Sequence, residues 1–210
     1  INNGADDDGS GTVGLMAIAR AFAKGPRPRR SVLFVWHTAE EGGLNGSRYM
    51  ADQPVVPLDR VSAQLNIDMI GRNRCDDDAE SNTVHLVGAD RISTDLHNTN
   101  EEANASLPRP LTLNYELNDN ADLESLYTRS DHYSYASRGV PVIVFTTGLH
   151  RDYHYVTDEV DKIRFDKVSR VAQLVYATGW RLANADRAPV RDRLGPRLGK
   201  GQTGRLQGTR

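Results

Sequence analysis

A chain of 210 residues with 38% hydrophobic and 26% charged residues is long enough for one sizeable domain, and its composition excludes a disordered or fibrous protein. No apolar run approaches the roughly 20 residues of a membrane-spanning helix. The single cysteine, Cys75, excludes an internal disulfide and a cysteine-based zinc site. The formal net charge of −2 is unevenly distributed, since residues 187–210 hold seven basic residues and one acidic residue.

Predicted helices and strands alternate along the chain, which indicates an α/β domain with three layers. Helices are predicted at 10–24, 43–52, 92–105, 131–137 and 165–185. Strands are predicted at 31–38, 61–69, 83–87, 111–117 and 140–147, with 111–117 at an edge of the sheet. The last helix is expected to close the domain with an inner face of Val168, Val171, Leu174, Val175, Thr178 and Leu182.

The basic segment after this helix contains few apolar residues. We therefore predict a folded domain over residues 1–186 and a disordered Gly/Arg-rich tail over residues 187–210. Such a tail can contact nucleic acid or anionic lipid. It has no aromatic residue on which a base could stack, so we expect a solvated tail and no nucleic-acid partner.

Acidic residues follow two of the predicted strands. The apolar run at 31–38 leads into the adjacent acids Glu40 and Glu41, and the next strand contains Asp68 near its end. Adjacent carboxylates repel each other, and a nearby metal ion would offset that cost. His154 follows the last predicted strand. Because the carboxyl ends of strands in an open α/β sheet gather at one edge, we expect these four side chains to converge there.

An aspartate triplet just before the first helix can join the same edge. Asp7 is the middle residue of the triplet Asp6-Asp7-Asp8. Carboxylates together with an imidazole suit zinc or a similar divalent ion. Each segment alone has a simpler explanation: a turn and helix cap for the triplet, a solvated loop for the glutamate pair, a cap for Asp68 and a surface position for His154. Their order along alternating elements favours a metal site for the set.

Five motifs together resemble the co-catalytic zinc aminopeptidases of metallopeptidase clan MH, which include aminopeptidase Y, bacterial leucyl aminopeptidases and the peptidase domain of glutamate carboxypeptidase II. The resemblance covers about residues 2–180. The motifs are Asn-Gly-Ala-Asp-Asp-Asp-Gly-Ser-Gly at 3–11, Ala-Glu-Glu-Gly-Gly-Leu-Asn-Gly-Ser at 39–47, Asn-Ile-Asp-Met-Ile-Gly at 66–71, Ser-Asp-His at 130–132 and His-Tyr-Val-Thr-Asp at 154–158.

This resemblance implies a three-layer α/β/α sandwich with a mixed, mostly parallel sheet. It also implies a zinc-dependent exopeptidase, most simply an aminopeptidase that acts on peptides with a free N-terminus and is exported to the periplasm or secreted. Carboxypeptidase or glutaminyl cyclase chemistry on the same site stays open as an alternative, as does a binding domain without catalysis. The oligomeric state stays open as well.

The resemblance assigns a role to each member of the metal set. Asp7 would bridge two zinc ions, Glu41 and His154 would complete the ligands of one ion, and Asp68 would belong to the other. Glu40 would be the general base, which takes a proton from a metal-bridging water and passes it to the leaving amine.

Further residues follow from the same resemblance. Tyr127, three residues before Ser130, matches a tyrosine that hydrogen-bonds the oxyanion in some family members. Asp131 and His132 would support the metal ligands from behind. The remaining histidines, including His150, are expected to be structural or surface residues.

One family ligand has no counterpart in this sequence. Family members carry a histidine upstream of the aspartate triplet as the remaining ligand of the second zinc. We therefore expect the N-terminal part of the domain to be missing before Ile1, with one ligand set complete and the other lacking its histidine. An exposed strand edge and impaired activity would follow.

Overall fold

A computed structural model describes residues 2–119 and 121–192 and contains a mixed four-stranded sheet. The strands are β1 (Gln64–Ile67), β2 (Thr83–Val87), β3 (Thr112–Asn114) and β4 (Val142–Thr146), in the order β1-β4-β2-β3. β1 is parallel to β4 and β2 is parallel to β3, whereas β2 and β4 are antiparallel. The prediction of a mixed, mostly parallel sheet with β3 at an edge is confirmed.

Helices cover both faces of this sheet. The described residues form α1 (Gly11–Lys24), α2 (Asn45–Asp52), α3 (Thr94–Ala105), α4 (His132–Ala136) and α5 (Phe165–Asn184). Both α1 and α3 pack on α5, while α2 packs on α4. All six residues predicted for the inner face of α5 are buried. None of the described helices is long and apolar enough to cross a membrane.

The alternation of side chains along the central strands produces the three layers. Ile143 and Phe145 of β4 belong to the hydrophobic cluster that includes the inner face of α5. Val142 and Val144 belong to a second cluster, which contains Tyr135 of α4. Because successive residues of a strand point to opposite faces, one strand supplies both cores. The predicted α/β/α sandwich is therefore confirmed.

The prediction of a buried strand at 31–38 is wrong. These residues pair with no strand in the described part of the chain, and Leu33 and Trp36 are 59% and 48% exposed. The apolar run indicated burial, but a strand also needs a backbone partner, which local sequence does not reveal. A cavity of about 970 Å³ is lined by residues of this segment together with residues of α1, β1 and α5.

The start of the predicted tail contacts the domain. Arg187 pairs with Asp95 at 3.1 Å, and the backbone N–H of Val190 donates to the same carboxylate at 3.0 Å. Arg191 donates to the backbone carbonyls of Leu58 and Val61. Residues 187–192 of the predicted tail thus contact the domain, and residues 193–210 lie outside the described residues.

Candidate metal centre

Three of the predicted ligands meet at one edge of the sheet. His154 Nε2 lies 3.3 Å from Asp7 Oδ2 and 3.1 Å from Glu41 Oε1. One ligand atom from each of the three residues lies within 4.8 Å of the others. Two carboxylates and one imidazole are a donor set that suits a divalent ion with three protein ligands. The loop before α1, the loop before α2 and the loop after β4 each contribute one member.

Asp68 lies beside this group but outside it. The hydroxyl of Ser130 donates to Asp68 Oδ2 at 2.5 Å, and Asn66 Nδ2 donates to that hydroxyl at 3.0 Å. Burial raises the pKa of Asp68 above its usual range. Its charge in turn raises the pKa of Asp7 and of Glu40, so Asp68 is within electrostatic reach of both.

Glu40 lies between two cavities and next to Glu41. It lines both the large cavity described above and a smaller one bordered by His154. Burial, followed by the charges of Asp68 and Glu41, raises its pKa to about 7. Burial and neighbouring carboxylates likewise raise the pKa of Asp7 to about 8. A cation bound among these acids would replace the protons that they hold at neutral pH.

Each acid of the triplet has a different environment. Asp6 is fully buried, accepts a hydrogen bond from the backbone N–H of Gly71 at 2.6 Å, and lies 3.2 Å from the buried His150 Nε2. Asp8 accepts a hydrogen bond from the backbone N–H of Met69 at 3.0 Å. Asp6 and Asp8 thus tie the loop to the protein framework, which leaves Asp7 as the triplet member in the donor group.

Left-handed backbone conformations occur next to the site residues. Ala39, Met69 and His154 have φ values of 54°, 57° and 62°. Positive φ is uncommon outside glycine, and such conformations concentrate at functional sites. Ala39 precedes Glu40 and Met69 follows Asp68, so three of the seven described non-glycine residues with positive φ are at or next to the predicted ligands and base.

Asp158 is an anchor to which sequence reasoning gave no role. Its buried carboxylate accepts hydrogen bonds from the backbone N–H of Asp6 at 3.1 and 3.0 Å and from that of Asp7 at 3.1 Å. Asp158 therefore joins the loop that carries Asp7 to the loop that carries His154. The available signal was its place four residues after His154, within the last of the five motifs.

Tyr127 lies apart from the donor group. Its side chain is 4% exposed and belongs to the hydrophobic cluster that contains Tyr135. Its ring lies under the Arg91 guanidinium at 4.0 Å and packs edge-on against His132. Tyr127 lines neither cavity beside Glu40, and its burial raises its pKa. The spacing between Tyr127 and Ser130 in the sequence does not determine the direction in which the Tyr127 ring points. The buried position of this ring does not support contact with an oxyanion at the donor group.

A comparison with known protein families identifies the family of this chain. The model of peptidase family M28 matches residues 1–179. This chain belongs to peptidase family M28. The match covers all five motifs and every residue of the donor group.

Individual M28-like proteins show the same relationship. The chain is 30% identical to leucine aminopeptidase 1 of Ajellomyces dermatitidis over an alignment of 196 positions, which covers 87% of this chain and 48% of that protein. It is 28% identical to leucine aminopeptidase 1 of Aspergillus clavatus, again over 87% of this chain and 47% of that protein. The chain thus spans about half the length of these curated relatives.

Solved structures share the fold. The LapA aminopeptidase of Legionella pneumophila superposes with a TM-score of 0.70 at 25% identity, over 86% of this chain and 48% of that one. A zinc aminopeptidase from Bacillus subtilis gives a TM-score of 0.71 at 20% identity, over 91% and 46%. The second likeness supports the M28 fold alone.

Substitution of the anchor Asp158 is expected to weaken metal binding without removing a ligand. In Asp158→Asn, the uncharged side chain has one acceptor oxygen for the N–H groups of Asp6 and Asp7, so Asp7 is held less firmly. Loss of such a supporting contact typically lowers metal affinity by about 10- to 100-fold. Zinc titration against a competing chelator measures the effect. Asp161→Asn, at an exposed position nearby, is the matched control, and equal affinity in both variants would contradict the anchoring role.

The stability of the metal-free M28 chain is expected to fall as pH rises from 6.5 to 8. The pKa of Asp7 is raised from 3.8 to about 8 and that of Glu40 from 4.5 to about 7. The folded chain therefore holds protons that the unfolded chain has released, and rising pH favours unfolding. The histidines His37, His85 and His132, whose pKa values are lowered, act in the opposite direction mainly below pH 6.5. Lys167, whose pKa is lowered to about 8, acts in the opposite direction from the upper end of this window onward.

Thermal denaturation in the presence of a chelator tests this pH dependence. Tm is expected to be lower at pH 8 than at pH 6.5, and the difference is expected to shrink in Asp7→Asn, where the titrating carboxyl is absent. A Tm that is unchanged or higher at pH 8 would contradict the assigned pKa shifts.

Proposed function

We propose that this chain carries the catalytic centre of a zinc-dependent M28 exopeptidase that acts as an aminopeptidase. The observation that carries the proposal is the donor group of Asp7, Glu41 and His154 with Glu40 directly beside it. The relatives named leucine aminopeptidase support the activity, and the Bacillus subtilis zinc aminopeptidase supports the metal. Because the chain spans about half of its relatives, the activity of the whole protein is part of this proposal.

The donor group fits zinc in type and charge. Asp7, Glu41 and His154 would hold one ion, and Asp7 with Asp68 would contribute to a second. Burial, together with neighbouring negative charges, raises the pKa values of Asp7 and Asp68, and divalent cations would neutralise this negative charge. When bound, zinc lowers the pKa of a water molecule to about 7 and polarises a scissile carbonyl.

Glu40 is the residue that would move the proton. Its carboxylate makes no hydrogen bond with another side chain or with the backbone in the described part of the chain, so both oxygens are available to a water molecule. A pKa near 7 lets the carboxylate accept a proton and return it at neutral pH. We assign Glu40 as the general base that receives the proton of the attacking water and delivers it to the leaving amine.

The proposal is tested by substrate hydrolysis together with zinc analysis. Zinc-dependent release of p-nitroaniline from Leu-p-nitroanilide, abolished by a chelator and restored by zinc, is the expected result. A parallel panel with N-terminal glutamine peptides and with peptides blocked at the N-terminus separates cyclase and carboxypeptidase chemistry from aminopeptidase chemistry. Zinc binding without hydrolysis of any substrate would instead favour a binding domain. From the family resemblance we also propose that the protein is exported.

A further inference from the structure

The smaller cavity beside Glu40 contains a concentration of arginine side chains. It has a volume of about 520 Å³ and shares Glu40, Glu41 and His154 with the candidate metal centre. Resting on the proposed function, we propose that this cavity binds a carboxylate group of the peptide substrate. The enzyme would then favour peptides with a free carboxylate close to the scissile bond.

Three guanidinium groups line this cavity, from Arg48, Arg129 and Arg138. Arg138 is engaged by the carboxylate of Asp52 and donates to the backbone carbonyl of Ser134 at 2.6 Å. Arg48 is exposed on α2, and its guanidinium makes no hydrogen bond or ion pair with another of the described residues. Its guanidinium is therefore available to a ligand, while Arg138 adds positive charge to the same wall.

Arg129 connects the cavity to the metal centre. Its Nη1 pairs with Glu124 Oε2 at 3.2 Å, and its Nη2 donates to Tyr153 Oη at 2.9 Å. The Tyr153 ring stacks on His154 with ring centroids 3.8 Å apart. The positive charge of Arg129 also lowers the pKa of Glu40, although burial and neighbouring carboxylates raise that pKa by more. Arg129 therefore interacts electrostatically with the proposed base. A group bound between Arg48 and Arg129 would thus lie next to the reacting bond.

The chemistry of the walls selects a carboxylate. Guanidinium groups bind carboxylates through paired hydrogen bonds, and Arg48 and Arg129 both line this cavity. The larger cavity on the other side of Glu40 is instead lined mainly by apolar residues of α1, β1 and the segment 31–38. The two sides of Glu40 therefore suit different parts of a peptide, an apolar side chain on one and an anionic group on the other.

The carboxylate can belong to the C-terminus of a short peptide or to an acidic side chain, and paired ligands distinguish these sources. Leu-Gly is compared with Leu-Gly-amide, and Leu-Glu-amide with Leu-Gln-amide, by isothermal titration calorimetry. The full chain is used with zinc and in a Glu40→Gln background that prevents turnover. The carboxylate member of at least one pair is expected to bind about tenfold more tightly. Because binding is measured, failure of the proposed catalysis leaves this result readable.

Arginine variants identify the cavity as the source of the preference. Arg48→Met, Arg129→Met and the double variant are expected to lower the tenfold ratio toward one. Arg20→Met is the matched control, since Arg20 is exposed on α1 and lines neither cavity. Equal affinity within both pairs, or a preference that survives in the double variant, would overturn the proposal.

Discussion

Replacing Glu40 with glutamine is expected to lower kcat for Leu-p-nitroanilide by about 10²- to 10⁴-fold while zinc content stays unchanged. Glutamine keeps the size and polarity of the side chain but cannot accept the proton of the attacking water. Glu40 is outside the group formed by Asp7, Glu41 and His154, so the substitution removes no member of the donor set. Steady-state kinetics and elemental analysis of the same preparation provide the two readouts.

A remote glutamate provides the control for this experiment. Glu102 is exposed on α3 and lines neither of the two cavities, so Glu102→Gln is expected to retain full activity. Full activity in Glu40→Gln would remove Glu40 from the role of general base. Loss of zinc together with activity in Glu40→Gln would make Glu40 a ligand instead.

Replacing Asp7 with asparagine is expected to weaken zinc binding by more than about 100-fold, beyond the loss caused by a supporting residue. Asp7 is the predicted bridging ligand, and asparagine retains one carbonyl oxygen without the negative charge. The raised pKa of Asp7 also predicts how this variant affects the stability of the metal-free chain. Because the charged form of Asp7 is disfavoured in the folded metal-free chain, its neutral replacement is expected to preserve Tm at pH 8.

The unchanged Tm separates loss of a ligand from loss of the fold. His154→Ala is expected to lose zinc to a similar degree, since it removes the imidazole from the donor group. Asp59→Asn, at an exposed position, is the matched control. Zinc affinity in Asp7→Asn within about threefold of the parent protein, judged against the usual effect of removing even a supporting contact, would exclude Asp7 as a ligand.

Local patterns in the sequence were sufficient for elements whose periodicity reflects burial. The predicted inner face of the last helix matches α5, and the predicted strand at 83–87 coincides with β2. The segment 31–38 has an equally apolar pattern but forms no strand. Strand pairing depends on residues distant in sequence, so hydrophobicity alone could not distinguish the two cases.

The same limit applies to the candidate site. The convergence of Glu41 and His154 was expected because polar residues that follow strands gather at one edge of a sheet. Glu41 does lie 3.1 Å from His154, although the segment 31–38 before it forms no strand. The choice of Asp7 within its triplet came from family resemblance, and the structure adds the physical distinction that Asp6 and Asp8 bind backbone N–H groups. The orientation of Tyr127 depends on tertiary packing, which no motif spacing encodes.

Zinc content per chain is the measurement that tests the central claim most directly. The parent protein, Asp7→Asn and His154→Ala are each dialysed to equilibrium against the same free zinc concentration and analysed for zinc. At least one ion per chain in the parent protein and little zinc in both variants is the predicted result. Little zinc in the parent protein, or equal zinc in all three, would contradict a metal centre formed by these residues.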